Sequence, residues 1–184
     1  MKIKNIIFTL TAFFLLALSN SAQEKYLTKT GKIKFFSKAP LENITADNEY
    51  VTSLIDLNTG DMGIAMFMKA FKFKKALMEE HFNENYIESE RYPKASFKGK
   101  ILNFENISDI KKEFIVKGQL TIHGVSNDVE IKANFKKLKN TIEVDGNFSI
   151  ALEDYKIKIP KVVFMNIAEN IKITFNLNHL PYKR

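Results

Sequence analysis

The sequence predicts an all-β protein, an antiparallel eight-stranded barrel closed around an apolar interior, with one short helix at its mouth. Three observations predict it. Hydrophobicity alternates with period two through most of residues 113–178, the joints between these segments are a few polar, turn-forming residues, and residues 72–82 break the alternation with helix formers. Successive side chains of a strand point to opposite faces, so alternation gives each segment one wet and one dry face. Short joints permit only antiparallel neighbours, because a parallel pair needs a crossover of about a dozen residues or more. Eight strands make the smallest closed barrels, whose interior is filled by side chains or holds one small ligand.

Residues 1–22 are set apart from that fold. Lys2 and Lys4 precede an apolar run from Ile6 to Leu18, and small residues lead to Ala22-Gln23. This is the layout of a secretory signal peptide, and the run is shorter than the ~20 residues of a spanning helix. The mature domain is therefore expected to be residues 23–184, in the periplasm or secreted. The chain has no cysteine, so neither a lipid anchor on Cys nor a disulfide is available. Stability must come from buried apolar area, for which 16 Phe and a hydrophobic fraction of 45% supply the material.

Strands are expected at residues 31–37, 50–57 and 61–68, with Asn58-Thr59-Gly60-Asp61 as a hairpin turn. The short helix within 72–82 carries Ala76, Leu77, Met78 and Phe82 at helix-compatible spacing. Its apolar side, with Phe71, Phe73, Tyr86 and Ile87, must pack on something, and a barrel offers its open mouth. A loop over 83–93 leads to a strand at 95–102. Then come four clean segments whose dry positions are Phe114 to Ile122, Val129 to Phe135, Ile142 to Leu152 and Ile171 to Leu177, each at every second residue. The joints at 124–128 and 137–140 are hairpin-like.

Two stretches carry a family resemblance. One runs Glu80-His81-Phe82-Asn83, Tyr86-Ile87 and Tyr92-Pro93-Lys94-Ala95-Ser96-Phe97-Lys98-Gly99. The other, more specific, is Gly118-Gln119-Leu120-Thr121-Ile122-His123-Gly124-Val125. In this order they resemble the YceI-like, polyisoprenoid-binding proteins of the bacterial envelope, over most of residues 28–180. The resemblance implies a lipocalin-like extended barrel enclosing a long isoprenoid, quinone-like or fatty-amide chain, and some relatives of this kind pair as homodimers. The chain departs from the family in having no Trp in its opening strand. It also reads Met78-Glu79-Glu80-His81-Phe82 where many members place an arginine-acid pair before histidine-leucine.

Strand parity and the resemblance together put the ligand-binding residues in the barrel interior and at the mouth. From the first strand these are Ile33 and Phe35, and from the mouth Phe71, Phe73, Leu77, Met78, His81 and Phe82. The middle strands give Phe97, Ile101, Phe114, Val116, Gly118 and Leu120. The last three give Ile131, Ala133, Phe135, Val144, Gly146, Phe148, Ile173 and Phe175. Binding there would be desolvation, at ~0.8 kcal/mol per CH₂ removed from water. The small residues Gly99, Gly118, Ala133 and Gly146 leave room on the dry parity, although Gly in a strand also relieves bending where a barrel curves. A rival reading remains open: the same Phe and Met side chains fill the barrel, and the protein is an envelope stress or interaction protein with no ligand.

Other function classes find no support. His81, His123 and His179 are far apart in sequence, unlike metal ligands, and His123, beside Gly124, is expected to fix its hairpin by hydrogen bonding. Glu79, Glu80, Glu84, Glu88 and Glu90 lie on a lysine-rich helix and loop and read as a solvated face. No nucleophile elbow or phosphate-cradling loop is present, so the chain is read as a non-enzyme with no cofactor beyond a bound lipid. Removing Lys2 and Lys4 takes the 28 basic residues to 26 against 21 acidic ones, and the formal charge from +7 to +5. That excess is spread along the strands rather than gathered into a nucleic-acid stripe; an anionic membrane surface is a more natural partner than nucleic acid, and plain solubility accounts for the charge more readily than either.

Overall fold

The computed structural model describes residues 24–182. The signal-peptide reading of residues 1–22 lies outside the described residues. Eight long strands form the barrel: β1 (Lys25–Lys38), β2 (Asn43–Asp56), β3 (Asp61–Phe67), β5 (Lys94–Ile101), β6 (Lys112–Ile122), β7 (Val125–Leu138), β8 (Thr141–Ala151) and β9 (Asn170–Tyr182). A two-residue strand, β4 (Lys72–Phe73), adds to β2 outside the closed circuit, and one short helix, α1 (Ala76–His81), follows it. The order is β1-β9-β8-β7-β6-β5-β3-β2, every pairing is antiparallel, and β1 pairs back onto β2 to close the barrel. The expected fold is thus the observed one.

The first two strands are longer than alternation predicts, and one cause explains both. Buried positions in β1 fall on Tyr26 and Thr28, then on Gly31 and Ile33, with Lys29 and Thr30 both exposed between them. In β2 they fall on Ala46 and Asn48, then on Val51, Ser53 and Ile55, with Glu49 and Tyr50 both exposed. The β1–β2 register shifts at this place, from Gly31↔Val51 to Ile33↔Asn48. A bulge inserts a residue and flips the parity beyond it. A reading that follows alternation therefore starts each strand late, at 31 and at 50.

The hairpins place the chain's segments at two ends. One end carries the β1–β2 turn, residues 68–93 with α1, the β6–β7 turn and the long β8–β9 connection; this is the mouth. The other carries the β2–β3, β5–β6 and β7–β8 connections and both described termini. The β6–β7 turn is only His123-Gly124, with φ of 52° and 73°, because a two-residue hairpin that matches strand twist needs positive φ at both central positions. It is tighter than the 124–128 joint read from sequence.

Away from the mouth the interior is solid. Val51, Ile55, Ile101, Phe135, Ile142, Val144 and Leu177 are almost fully buried, and Phe114 meets Phe135 edge-to-face at 5.5 Å between ring centres. His179 is also fully buried here. One ring nitrogen, Nδ1, lies 3.2 Å from the Ile142 carbonyl, to which it donates, and Nε2 accepts from the Ser53 hydroxyl at 2.8 Å. Burial holds this imidazole down to a pKa of about 4.

Candidate ligand-binding cavity

The mouth half of the barrel is hollow. A cavity of about 370 Å³ runs inward from the mouth and ends on the packed half. All eight barrel strands contribute to its wall. Ile33 and Phe35 come from β1, Ile44 from β2, Ala95 and Phe97 from β5, and Val116, Leu120 and Ile122 from β6. Ile131 and Ala133 come from β7, Phe148 and Ile150 from β8, and Ile171, Ile173 and Phe175 from β9. From β3 come Met62, Ile64 and Met66, with Met68 just beyond it. Methionine is flexible and polarisable, so this wall can adapt to irregular apolar shapes.

The mouth is built around four phenylalanines. Phe82 lies 5.6, 5.8 and 5.0 Å, centre to centre, from Phe35, Phe71 and Phe73, and Phe35 lies 5.6 and 5.4 Å from Phe71 and Phe73. Each such pair contributes roughly 0.5–1.5 kcal/mol beyond its area burial. The cluster holds α1 and the π-helical turn after it (Phe82–Tyr86) against the barrel, with ring edges left to line the cavity. Polar bonds brace the same element. Glu79 accepts from Lys72 Nζ at 2.6 Å and from the Phe73 N–H at 3.3 Å, and the Lys72 hydrogen bond holds its carboxyl below the usual range. Asn83 donates to the Glu79 carbonyl at 2.8 Å.

Opposite the helix, the β8–β9 connection crosses the mouth as a strap. Ile157, Val163, Asn166 and Ile167 face the cavity. The strap is tied to the β1–β2 turn: Leu41 N–H donates to the Met165 carbonyl at 2.9 Å, and Ala168 N–H donates to the Ser37 hydroxyl at 2.8 Å. Glu42 accepts from Lys75 at 2.7 Å and joins that turn to the start of α1. Polar side chains on the cavity wall are few: Ser37, Glu42, His81, Tyr86 and Asn166. Burial raises the Tyr86 phenol above its ordinary value. The cavity can thus take up an apolar chain, with polar contacts available to a head group only toward the rim.

The structure distributes the sequence-predicted site residues over three places. Ile33, Phe35, Phe71, Phe73, Met78, His81, Phe82, Phe97, Val116, Leu120, Ile131, Ala133, Phe148, Ile173 and Phe175 border the cavity. Ile101, Phe114, Phe135 and Val144 point inward but belong to the packed half, where they have one another as neighbours and no space beside them. Leu77 points outward and is 60% exposed, because Met78 in the helix and Phe82, one turn on at the start of the π-helical turn, take the inner side.

The glycines need a correction. A Cβ on Gly118 would stand 2.3 Å from the Lys98 carbonyl oxygen, and one on Gly99 would stand 2.4 Å from the Lys117 oxygen and 2.5 Å from the Phe97 ring. On Gly146 it would stand 2.6 Å from the Phe175 ring. Gly118, Gly99 and Gly146 therefore do not hold open a void. Gly99 and Gly118 face each other across two closely approaching strands, and aromatic rings lie over Gly99 and Gly146. Replacing Gly118 by Phe would strike backbone, so it cannot serve as a probe of ligand space.

Sequence reading missed the Met-rich wall of β3 and the strap. In β3 the outward positions Ala65 and Phe67 are apolar too, which hides the parity. The strap has no regular period at all, and its only signal is an apolar run without an acid. His123 lies outside the cavity. Its Nδ1 is 3.1 Å from the Tyr155 carbonyl, its Nε2 is 3.4 Å from Glu88, and its ring stands edge-on to Tyr92 at 4.5 Å. It ties the β6–β7 hairpin to the loop after α1 and to the start of the strap. The acidic face does not converge: Glu79 pairs with Lys72, Glu90 with Lys69 and Glu88 with His123 and Arg91, while Glu80 and Glu84 are exposed to solvent. Among the described residues there is no group of three or more metal-ligating side chains, and no helix is long and apolar enough to cross a membrane.

Residues 17–179 match the family described as the YceI-like domain. Among curated proteins none is significantly similar to this chain. Among solved structures, the fold is similar to a polyisoprenoid-binding domain from Saccharophagus degradans implicated in plant cell wall breakdown, with a TM-score of 0.75 and 14% identity over 87% of this chain and 99% of that one. BcnA of Burkholderia cenocepacia gives a TM-score of 0.63 at 17% identity, covering 80% of this chain and 95% of its own. The YCEI protein of Campylobacter jejuni gives 0.63 at 15% identity, covering 78% and 88%.

Proposed function

The chain belongs to the YceI-like family, and we propose that it carries or sequesters a single-chain apolar lipid, an isoprenoid, quinone-like or fatty-amide molecule, in the mouth half of its barrel. We further propose that it does so in the cell envelope after export. One observation carries the reading: an open cavity of about 370 Å³ whose wall is carbon apart from a few side chains toward its rim. The likeness to a domain described as polyisoprenoid-binding supports it. No chemical step is required, since the driving force is the removal of apolar surface from water.

The cavity sets a scale for the ligand. An apolar cavity of ~150 Å³ accepts one benzene, so by proportion this one accommodates about 15 carbons. Depth agrees: from Val116 to Ile122 the cavity follows β6 for about 20 Å of strand, which a tilt of ~40° reduces to about 15 Å. At ~0.8 kcal/mol per carbon the buried chain contributes roughly 10 kcal/mol, from which the entropy of association is subtracted. His81, Glu42 and Asn166 are the side chains toward the rim that a polar head could reach.

Native mass spectrometry of protein purified from its own host, under conditions that retain lipids, is expected to show an apolar adduct. Ile64→Trp, which fills the cavity from its β3 wall, is expected to lose that adduct while keeping the fold, since the added ring enters free space. Recovery of only the bare polypeptide, with no uptake of added polyprenol or quinone, would refute the reading.

A further inference from the structure

The strap has a second face. While Val163 and Ile167 line the cavity, Val162 beside them is 90% exposed, and Phe164 and Met165 are about half exposed. The Leu41–Met165 hydrogen bond brings Leu41, 70% exposed, to the same side. Residues 38–41 and 156–167 together carry Lys38, Lys156, Lys158 and Lys161, all exposed, and no acid; Glu42, next to Leu41, is paired with Lys75, and Glu153, Asp154 and Glu169 sit at the two ends of the strap, where it leaves β8 and enters β9. None of the four lysines forms an ion pair among the described residues. Exposed large apolar side chains ringed by unneutralised lysines, at the lip of an apolar cavity, form a surface of defined chemistry.

We propose that this strap and turn dock the mouth of the barrel onto an anionic lipid bilayer, with Val162, Phe164 and Met165 entering the headgroup region and the lysines pairing with lipid phosphates. Charge selects this occupant. A second copy of the chain presenting the same patch would bring like charges together, whereas an anionic bilayer is complementary to it. Seated this way, the mouth meets the membrane directly, and an apolar ligand passes between bilayer and cavity without crossing water. The proposal rests on the lipid-carrying reading of the same mouth, and it names the source and destination of the cargo.

The test is flotation of the purified protein with vesicles of phosphatidylcholine alone and of equal parts phosphatidylcholine and phosphatidylglycerol, at low and high salt. Uptake of a polyprenol from detergent micelles is measured in parallel. The protein is expected to float with the mixed vesicles, and to do so less at high salt. Phe164→Ser with Met165→Ser should weaken that binding about tenfold or more. Lys158→Glu with Lys161→Glu should weaken it at least about 25-fold and remove the preference for the anionic lipid. Both variants should take up polyprenol from micelles as the parent does, because none of these side chains borders the cavity. The docking proposal is overturned if the parent ignores the anionic lipid, if the variants float like the parent, or if the serine variant alters only self-association in sedimentation. Loss of micellar uptake by the parent itself would instead sink the carrier reading.

Discussion

His179 reaches its two partners from β9, a carbonyl on β8 and a hydroxyl on β2, fully buried in the packed half of the barrel. Its imidazole is neutral there, because the charged form would lose its hydration, and its pKa falls from the ordinary 6.5 to about 4. The folded state therefore binds fewer protons than the unfolded state between these values. Stability from this group is complete above pH 6.5 and declines as the pH falls toward 4, by about 3 kcal/mol in all. His179→Gln, whose amide can also donate to Ile142 and accept from Ser53, is expected to remove most of that slope in urea unfolding across the same pH range. A slope that survives the substitution would place its origin elsewhere. The alternation read from sequence ends at Leu177, but β9 runs on to Tyr182 and His179 continues the dry parity of Phe175 and Leu177. The sequence could not reveal the bond to Ser53, which is 126 residues away on a strand whose parity a bulge inverts.

At the scale of elements, the clean alternation of β6 to β9 made four strands and their antiparallel order legible, because each has one solvated and one buried face throughout. The opening halves of β1 and β2 were hidden by their paired bulges, whereas β3 was legible as a strand but its inward face was not, because both of its faces carry apolar residues. Helix α1 was legible from its composition, but the way Phe82 gathers Phe35, Phe71 and Phe73 was not, since these rings come together only when β1 and the segment after β3 meet at the mouth. Phe82→Ala removes the hub of that cluster. It is expected to cost about 2 kcal/mol, less than a fully buried Phe because the ring is half-buried. Hydrogen exchange should then quicken in residues 76–86 while β6 to β9 stay protected. Equal acceleration throughout would mean that the cluster supports the whole barrel rather than the mouth.

For the molecule as a whole, two readings of the interior were compatible with the sequence, a barrel plugged by its own aromatics and a barrel left open for a ligand. The structure divides them along the axis. Phe114, Phe135, Val144 and Leu177 fill the end that holds the described chain termini, and the mouth end is hollow from Val116 outward. Period-two hydrophobicity cannot distinguish the halves, because a residue facing a cavity and one facing another side chain are equally apolar. The packed half gives the barrel a solid floor, and the floor fixes how much of a ligand can be taken out of water.

Chain-length dependence is the most direct measure of that floor. Prenols from geraniol through farnesol and geranylgeraniol to longer homologues can be titrated into the delipidated protein, and their affinities compared at constant head group. Affinity is expected to climb steeply up to about 15 carbons, as each added methylene leaves water, and then to level off once further carbons remain outside the mouth. Failure of every prenol to bind, or an affinity that keeps climbing undiminished past geranylgeraniol, would contradict a half-open, half-filled barrel acting as a lipid site.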